Sequence, residues 1–310
     1  MKHNLKIILI LIGFFLLSQV IGLLIVNQYI DHKVLAKTGK VTFTETPVFE
    51  RPPVEESTSV WYIISAILIG TAILLVIIRL RKIRIWKTWY FISVFITLGF
   101  AFYAFFKQIP VQELALSFSF VLAAVMGYYK IFSPKIWLHN ISELFIYGGL
   151  AAIFVPIMNL FSAIMLLLLI SAYDMYAVWK SKHMVTLAKF TTESRVFAGL
   201  SIPYRKSTGK IQKKATKKIK SKKSKIKNAI LGGGDIGFPL LFAGVAMKNL
   251  MLSNTVLTGF LKVLIIPLTT TTALYFLFVK GEKNKFYPAM PFLSLGCFAG
   301  YFILLLIELL

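Results

Sequence analysis

Asp174 and Asp235 are the residues of this chain whose type and placement point to chemistry. The sequence holds 12 Asp and Glu against 35 Lys and Arg. Of the acids, Glu143, Asp174, Asp235 and Glu308 fall inside long apolar runs. A carboxylate at membrane depth costs about 2.5–3.5 kcal/mol on insertion scales, so each is a functional candidate by default. Glu308 stands at the edge of the last run, where solvation is easy. Glu143 has His139 at the i−4 position of one helical face, a ready pairing. Asp174 lies near the end of one run and Asp235 near the start of the next. Antiparallel helices would carry both carboxyls roughly 7–12 Å below the same membrane face, at 1.5 Å of rise per residue. Two carboxyls in one site cannot both ionise easily and so share a proton. The ionised one can take a proton from water. The protonated one can polarise an amide carbonyl and later help protonate the leaving amine. A proton- or cation-coupled transporter also needs buried carboxylates. Depth and pairing alone leave hydrolysis and transport open.

The elements that must place these side chains are membrane helices. Of 310 residues, 57% are hydrophobic and 15% charged, against about 25% charged in a soluble domain. A hydrocarbon core about 30 Å thick takes roughly 20 apolar residues of helix, and backbone groups in lipid must bond internally. Nine runs qualify: 5–30, 60–78, 88–106, 114–129, 137–157, 159–179, 227–247, 256–279 and 289–310. The every-second-residue alternation of a membrane barrel is absent. The expected fold is an all-α, multi-pass protein of the cell membrane with nine transmembrane helices. The first run follows Lys2, His3 and Lys6 as a signal peptide would, but it is too long and lacks a small-residue cleavage site. It reads as a retained helix.

Lys and Arg concentrate in alternate connections. One set holds Arg79, Arg81, Lys82, Arg84, Lys87, Lys130, Lys135 and the rich 180–227 segment. The other keeps Lys33, Lys37, Lys40, Arg51, Lys107 and Lys248. Basic loops stay inside, which predicts a cytoplasmic N-terminus and, after nine spans, an outside C-terminus. The single membrane domain then divides into helices 1–6 over 1–179, a basic cytoplasmic loop over 180–226, and helices 7–9 over 227–310.

Much of the net charge of +23 lies in that loop. Its 206–227 tract of Lys, Ser and Thr cannot bury a core, which predicts disorder. Lysines beside a bilayer attract anionic lipid at about 1 kcal/mol each, so membrane lipid is the expected partner, and nucleic acid is not. Upstream, the apolar stretch 195–204 should order as a short strand or interfacial turn. The 31–59 stretch, with Pro47, Pro52 and Pro53, reads as a solvated connector. One cysteine, Cys297, cannot make an intrachain disulfide. With 4 His, it supplies no ligand cluster, and neither metal nor cofactor is expected.

Three local sequences sharpen the reading. Around the first aspartate the chain runs Ser171-Ala-Tyr-Asp-Met-Tyr-Ala-Val178. Around the second it runs Leu231-Gly-Gly-Gly-Asp-Ile-Gly-Phe-Pro239, and the last run opens Tyr287-Pro-Ala-Met-Pro-Phe292. Tyr-Asp, then Gly-x-Gly-Asp, then Pro-Ala-Leu, in this order on the last helices, resembles the presenilin and signal-peptide-peptidase family. The chain looks like a prokaryotic, presenilin-type member. Type IV prepilin peptidases share the Gly-x-Gly-Asp element but lack the third motif and have fewer spans.

The resemblance implies that Asp174 and Asp235 are a catalytic dyad for water attack on peptide bonds inside the membrane. It implies motif roles for Tyr173, Gly232, Gly234, Pro288 and Ala289. Met290 stands where the family has leucine, a swap of similar volume. The implied partners are single-pass membrane-protein substrates. A substrate helix hides its amides and must unwind before hydrolysis. The resemblance implies pairing of the unwound segment with a loop strand, for which 196–202 is the candidate, with Val196, Phe197, Leu200 and Ile202. The alternative kept open is a transporter or an inactive scaffold of the same fold.

Overall fold

The computed structural model describes residues 5–50, 53–55, 58–80, 82–180, 197–205, 226–281 and 287–309. Its helices are α1 (Leu5–Tyr29), α2 (His32–Thr38), α3 (Ser59–Arg79), α4 (Ile83–Phe106), α5 (Gln112–Ile131), α6 (Ile136–Phe154) and α7 (Leu160–Trp179). A hairpin of β1 (Gly199–Arg205) and β2 (Ile226–Gly232) follows. Then come α8 (Gly233–Ser253), α9 (Val256–Val263), α10 (Ile265–Lys280) and α11 (Met290–Leu309). Among the described residues, nine helical spans are long and apolar enough to cross a membrane, with α9 and α10 together forming the eighth. The chain is a multi-pass membrane protein.

Local chemistry explains the punctuation. The 31–59 connector is not all irregular. Asp31 caps α2 by accepting from the Lys33 and Val34 amides, and Gly39, at φ 66°, ends it. The fifth and sixth spans are joined by a tight turn at Met158 and Asn159. A 3₁₀ turn over Val155–Ile157 closes α6, and the Asn159 side chain caps α7 by accepting from the Ser162 amide at 2.7 Å. Pro267 cannot supply the N–H that a continuous helix would give to the Val263 carbonyl, and the eighth span divides just there, at Leu264.

Two spans start away from their expected residues. The third begins at Ile83 instead of 88, which takes Arg84 and Lys87 into α4. The seventh begins at Gly233, not at 227, because Ile226–Gly232 forms a strand on β1. Three consecutive glycines, Gly232 to Gly234, lose more chain entropy in a helix than other residues. The segment before them instead satisfies its backbone by pairing. The side chains agree: Ala229 and Leu231 are buried while Ile230 is 52% exposed, a two-residue period.

α8 is the most buried span and packs against α1, α6, α7, α9, α10 and α11. α3 is the least buried. Small residues allow the closest helix contacts. A Cβ on Gly149 of α6 would sit 1.8 Å from the Thr97 carbonyl oxygen of α4, so those two backbones touch.

Candidate active site

The two aspartates lie at the end of the bundle that carries the hairpin. Asp174 is on the last turns of α7, as expected. Its Oδ2 accepts the Met290 amide at 3.0 Å, and the Ala289 amide also points at the carboxylate. First-turn amides of a helix have no partner within it, and they attract negative charge. Asp174 therefore caps the start of α11 from a neighbouring helix. Pro288 and Pro291 flank these amides and have none of their own. The Pro-Ala-Met element thus holds the aspartate through backbone groups, while the Met290 side chain is buried in the core. Ser171 Oγ, on the same helix, meets Ser294 Oγ of α11 at 2.7 Å and ties the two helices beside the carboxylate.

Asp235 is in the first turn of α8, nearer the helix start than the sequence predicted, because β2 occupies the preceding residues. Its carboxylate lies against the Gly232 amide, and a Cβ on Gly232 would stand 3.2 Å from Oδ2. Asp174 is among the charges acting on Asp235, so the two carboxylates are within coulombic reach. Both residues are half-buried. Pro239 removes the N–H that would bond the Asp235 carbonyl. The next carbonyl, that of Ile236, accepts from Gln19 Nε2 of α1 at 2.8 Å, which braces the start of α8.

The three glycines are not equivalent. Gly232 faces the carboxylate, and a Cβ on Gly234 would approach the Phe238 ring at 3.3 Å. A Cβ on Gly233, the free position of the motif, would stand 2.6 Å from the Tyr147 hydroxyl. Tyr173 is 58% exposed and, among the described residues, is not drawn into the dyad.

The hairpin supplies strands beside Asp235. Of the candidate strand, Val196 lies outside the described residues and Phe197 precedes β1. Leu200 and Ile202 lie within β1, with Leu200 fully buried. Gly199 adopts φ 129°, a conformation that favours glycine, and a Cβ there would strike the Leu231 carbonyl. The outward edge of β1 is occupied. Asn140 of α6 donates to the Ser201 carbonyl at 2.9 Å and accepts its amide at 3.0 Å. His139 bonds the Gly199 carbonyl at 2.8 Å, and Tyr90 of α4 donates to the Phe197 carbonyl at 3.3 Å. Pro203 also lies on that edge, where a missing N–H costs no ladder bond. The sequence reading missed Asn140 and Tyr90 because their partners are backbone atoms far along the chain.

The other two candidate acids, buried Glu143 and exposed Glu308, have structural partners. Glu143 meets Lys130 of α5 in a fully buried ion pair, and His139 is more distant at 3.9 Å. Lys130, expected in a basic connection, is instead the buried counter-ion of Glu143. Glu308 pairs with Lys262 and accepts from Asn254 at 3.0 Å, at the bundle end opposite the aspartates. No group of three or more His, Cys, Asp or Glu suited to a metal occurs among the described residues.

The sequence pattern described as "Signal-peptide peptidase, presenilin aspartyl protease" matches residues 12–309. No curated protein matches the chain. The fold is similar to that of a presenilin family intramembrane aspartate protease solved in a C222 crystal form. That similarity has a TM-score of 0.63 at 18% identity and covers 97% of this chain and 99% of that one. A structure of such a protease in a P2 crystal form gives a TM-score of 0.62 at 17% identity and covers 96% of each chain.

Proposed function

Because the chain belongs to the signal-peptide peptidase and presenilin aspartyl protease family, we propose that it cuts transmembrane segments of single-pass membrane proteins with Asp174 and Asp235 as its dyad. The observation that carries this reading is that α7 and α8 bring the two carboxylates to one end of the bundle, within coulombic reach of each other.

The ionised aspartate takes a proton from water as the water oxygen bonds to the scissile carbonyl carbon. The protonated aspartate polarises the carbonyl oxygen. As the C–N bond breaks, the leaving amine takes a proton from the dyad. No cofactor enters this chemistry. The Ala289 and Met290 amides hold Asp174 in place throughout, so its aim does not depend on the substrate.

A substrate helix must unwind before its amide can be reached, and strand addition is the natural receptor for the unwound piece. With β1 covered by Asn140 and His139, we assign that role to the outer edge of β2, which pairs with no further strand among the described residues. Ile230 pairs with Ser201, whose own backbone groups point away to Asn140. Antiparallel partners at such a position exchange no hydrogen bonds. The Ile230 amide and carbonyl therefore face the opposite edge, the edge on which the Gly232 amide meets Asp235. A third strand added there would run past the dyad. We place this end on the cytoplasmic side, because Arg79, Lys82, Lys135, Lys180 and Lys280 stand at it, a basic bias that matches the topology rule.

The test is reconstitution of the purified protein with a single-pass substrate, with products mapped by mass spectrometry. Cuts within the substrate's membrane segment are expected, lost in both Asp174→Ala and Asp235→Ala. Ion flux that needs both aspartates, without any cleavage, would favour the transport alternative instead.

A further inference from the structure

One buried polar cluster takes no part in the chemistry above. Lys130 of α5 and Glu143 of α6 are each 1% exposed at the side chain. Glu143 also accepts from the Tyr147 hydroxyl, one turn deeper on α6. Lys130 reaches His139 Nδ1 at 3.1 Å. A lysine ammonium only donates, so Nδ1 accepts and the proton sits on Nε2, which donates to the Gly199 carbonyl at 2.8 Å. Asn140, beside His139, grips Ser201 through both its backbone groups. Removing one member of a buried pair strands the other charge, and such pairs are often no more stable than apolar replacements. Stability alone is therefore a weak account of this cluster.

Its contacts lie along β1 and at the start of α8. His139 and Asn140 fix β1 at Gly199 and Ser201. The Tyr147 hydroxyl stands under Gly233, which leads directly into Asp235. We infer that Lys130, His139, Asn140, Glu143 and Tyr147 form a positioning relay that sets the hairpin, and through it the Asp235 carboxylate, against the rest of the site. The ion pair fixes the Tyr147 hydroxyl and the His139 tautomer; His139 and Asn140 then hold β1, and the hydroxyl supports Gly233, two residues before the catalytic aspartate. The relay also explains why the free position of Gly-x-Gly-Asp is glycine here, since the Tyr147 hydroxyl occupies the place of its side chain. The inference rests on Asp235 being a catalytic residue.

The test uses the full chain in proteoliposomes. Tyr147→Phe keeps the ring but loses the hydroxyl, and Asn140→Ala frees the Ser201 amide and carbonyl. Hydrogen exchange of 199–205 and 226–232 should accelerate about tenfold or more in both, with the membrane helices unchanged. Turnover per site, titrated with a transition-state peptide isostere, should fall about 10- to 100-fold, with KM nearly constant. That range corresponds to a catalytic group displaced by up to about 1 Å. Lys262→Ala, at the far end, should match the parent. Gly233→Ala should be inactive in the parent and partly restored by Tyr147→Phe, which removes the atom it strikes. Wild-type exchange and turnover in both variants would overturn the relay. So would losses that track only the fraction of folded protein, or a Gly233→Ala defect untouched by Tyr147→Phe. Faster hairpin exchange in a protein whose wild type cleaves no single-pass substrate would uphold the relay and remove the protease reading.

Discussion

Proline at Ile230 separates the substrate edge of the hairpin from its internal ladder. The ladder bonds run through Leu200–Leu231 and Ile202–Ala229, while Ile230 turns its amide outward. Ile230→Pro therefore deletes one donor on the outer edge and leaves β1–β2 paired. Pro203 already occupies an outward position in β1 without ending the strand. The residue before a proline is pushed toward extended backbone, which Ala229 already has. If a substrate carbonyl is left without that donor in a site shielded from bulk water, the cost is about 1–3 kcal/mol. At about 1.4 kcal/mol per factor of ten, cleavage should fall roughly 5- to 150-fold. The assay is the initial rate on a single-pass substrate in proteoliposomes, with hairpin integrity followed by hydrogen exchange. Ala229→Pro is the contrast, because it breaks the ladder and should lose both pairing and activity. Ile202→Pro sits at a ladder position and would not discriminate. Wild-type cleavage by Ile230→Pro with an intact hairpin would refute substrate pairing on β2.

Other substitutions probe the scaffold. Met290→Leu leaves the backbone clamp on Asp174 untouched and swaps similar volumes, so thermal unfolding should report a change under about 1.5 kcal/mol and cleavage should persist. Gly149→Ala places a methyl against the Thr97 carbonyl, where neither backbone can give, and should destabilise by about 1–3 kcal/mol in the same measurement. Lys130→Met alone strands Glu143 and should cost about 3–5 kcal/mol. Adding Glu143→Leu should recover much of that loss.

Much of the architecture is legible in the sequence. Apolar run length fixes the spans within a few residues, because lipid admits little else for a spanning backbone. Asp174, Asp235 and the Pro-Ala-Met element stand out as costly or helix-breaking residues in apolar runs. β2 was hidden because the run from Ala229 into α8 is apolar throughout, and length counting absorbed it into the helix. The two-residue alternation of Ala229, Ile230 and Leu231, ahead of three glycines, was the available signal. The partner of Glu143 was out of reach, since Lys130 is on another helix and a basic residue near a span end reads as topology. Asn140 gave no signal either, because its partners are backbone groups of Ser201.

A shared-proton dyad needs both carboxylates, and both from one chain. Asp174→Asn and Asp235→Asn preserve shape and remove only the ionisable group. Each should be folded, judged by thermal unfolding, and each should leave a reconstituted single-pass substrate uncut, alone or when the two variants are mixed. Cleavage above background by either folded variant, or its return on mixing them, would contradict the account.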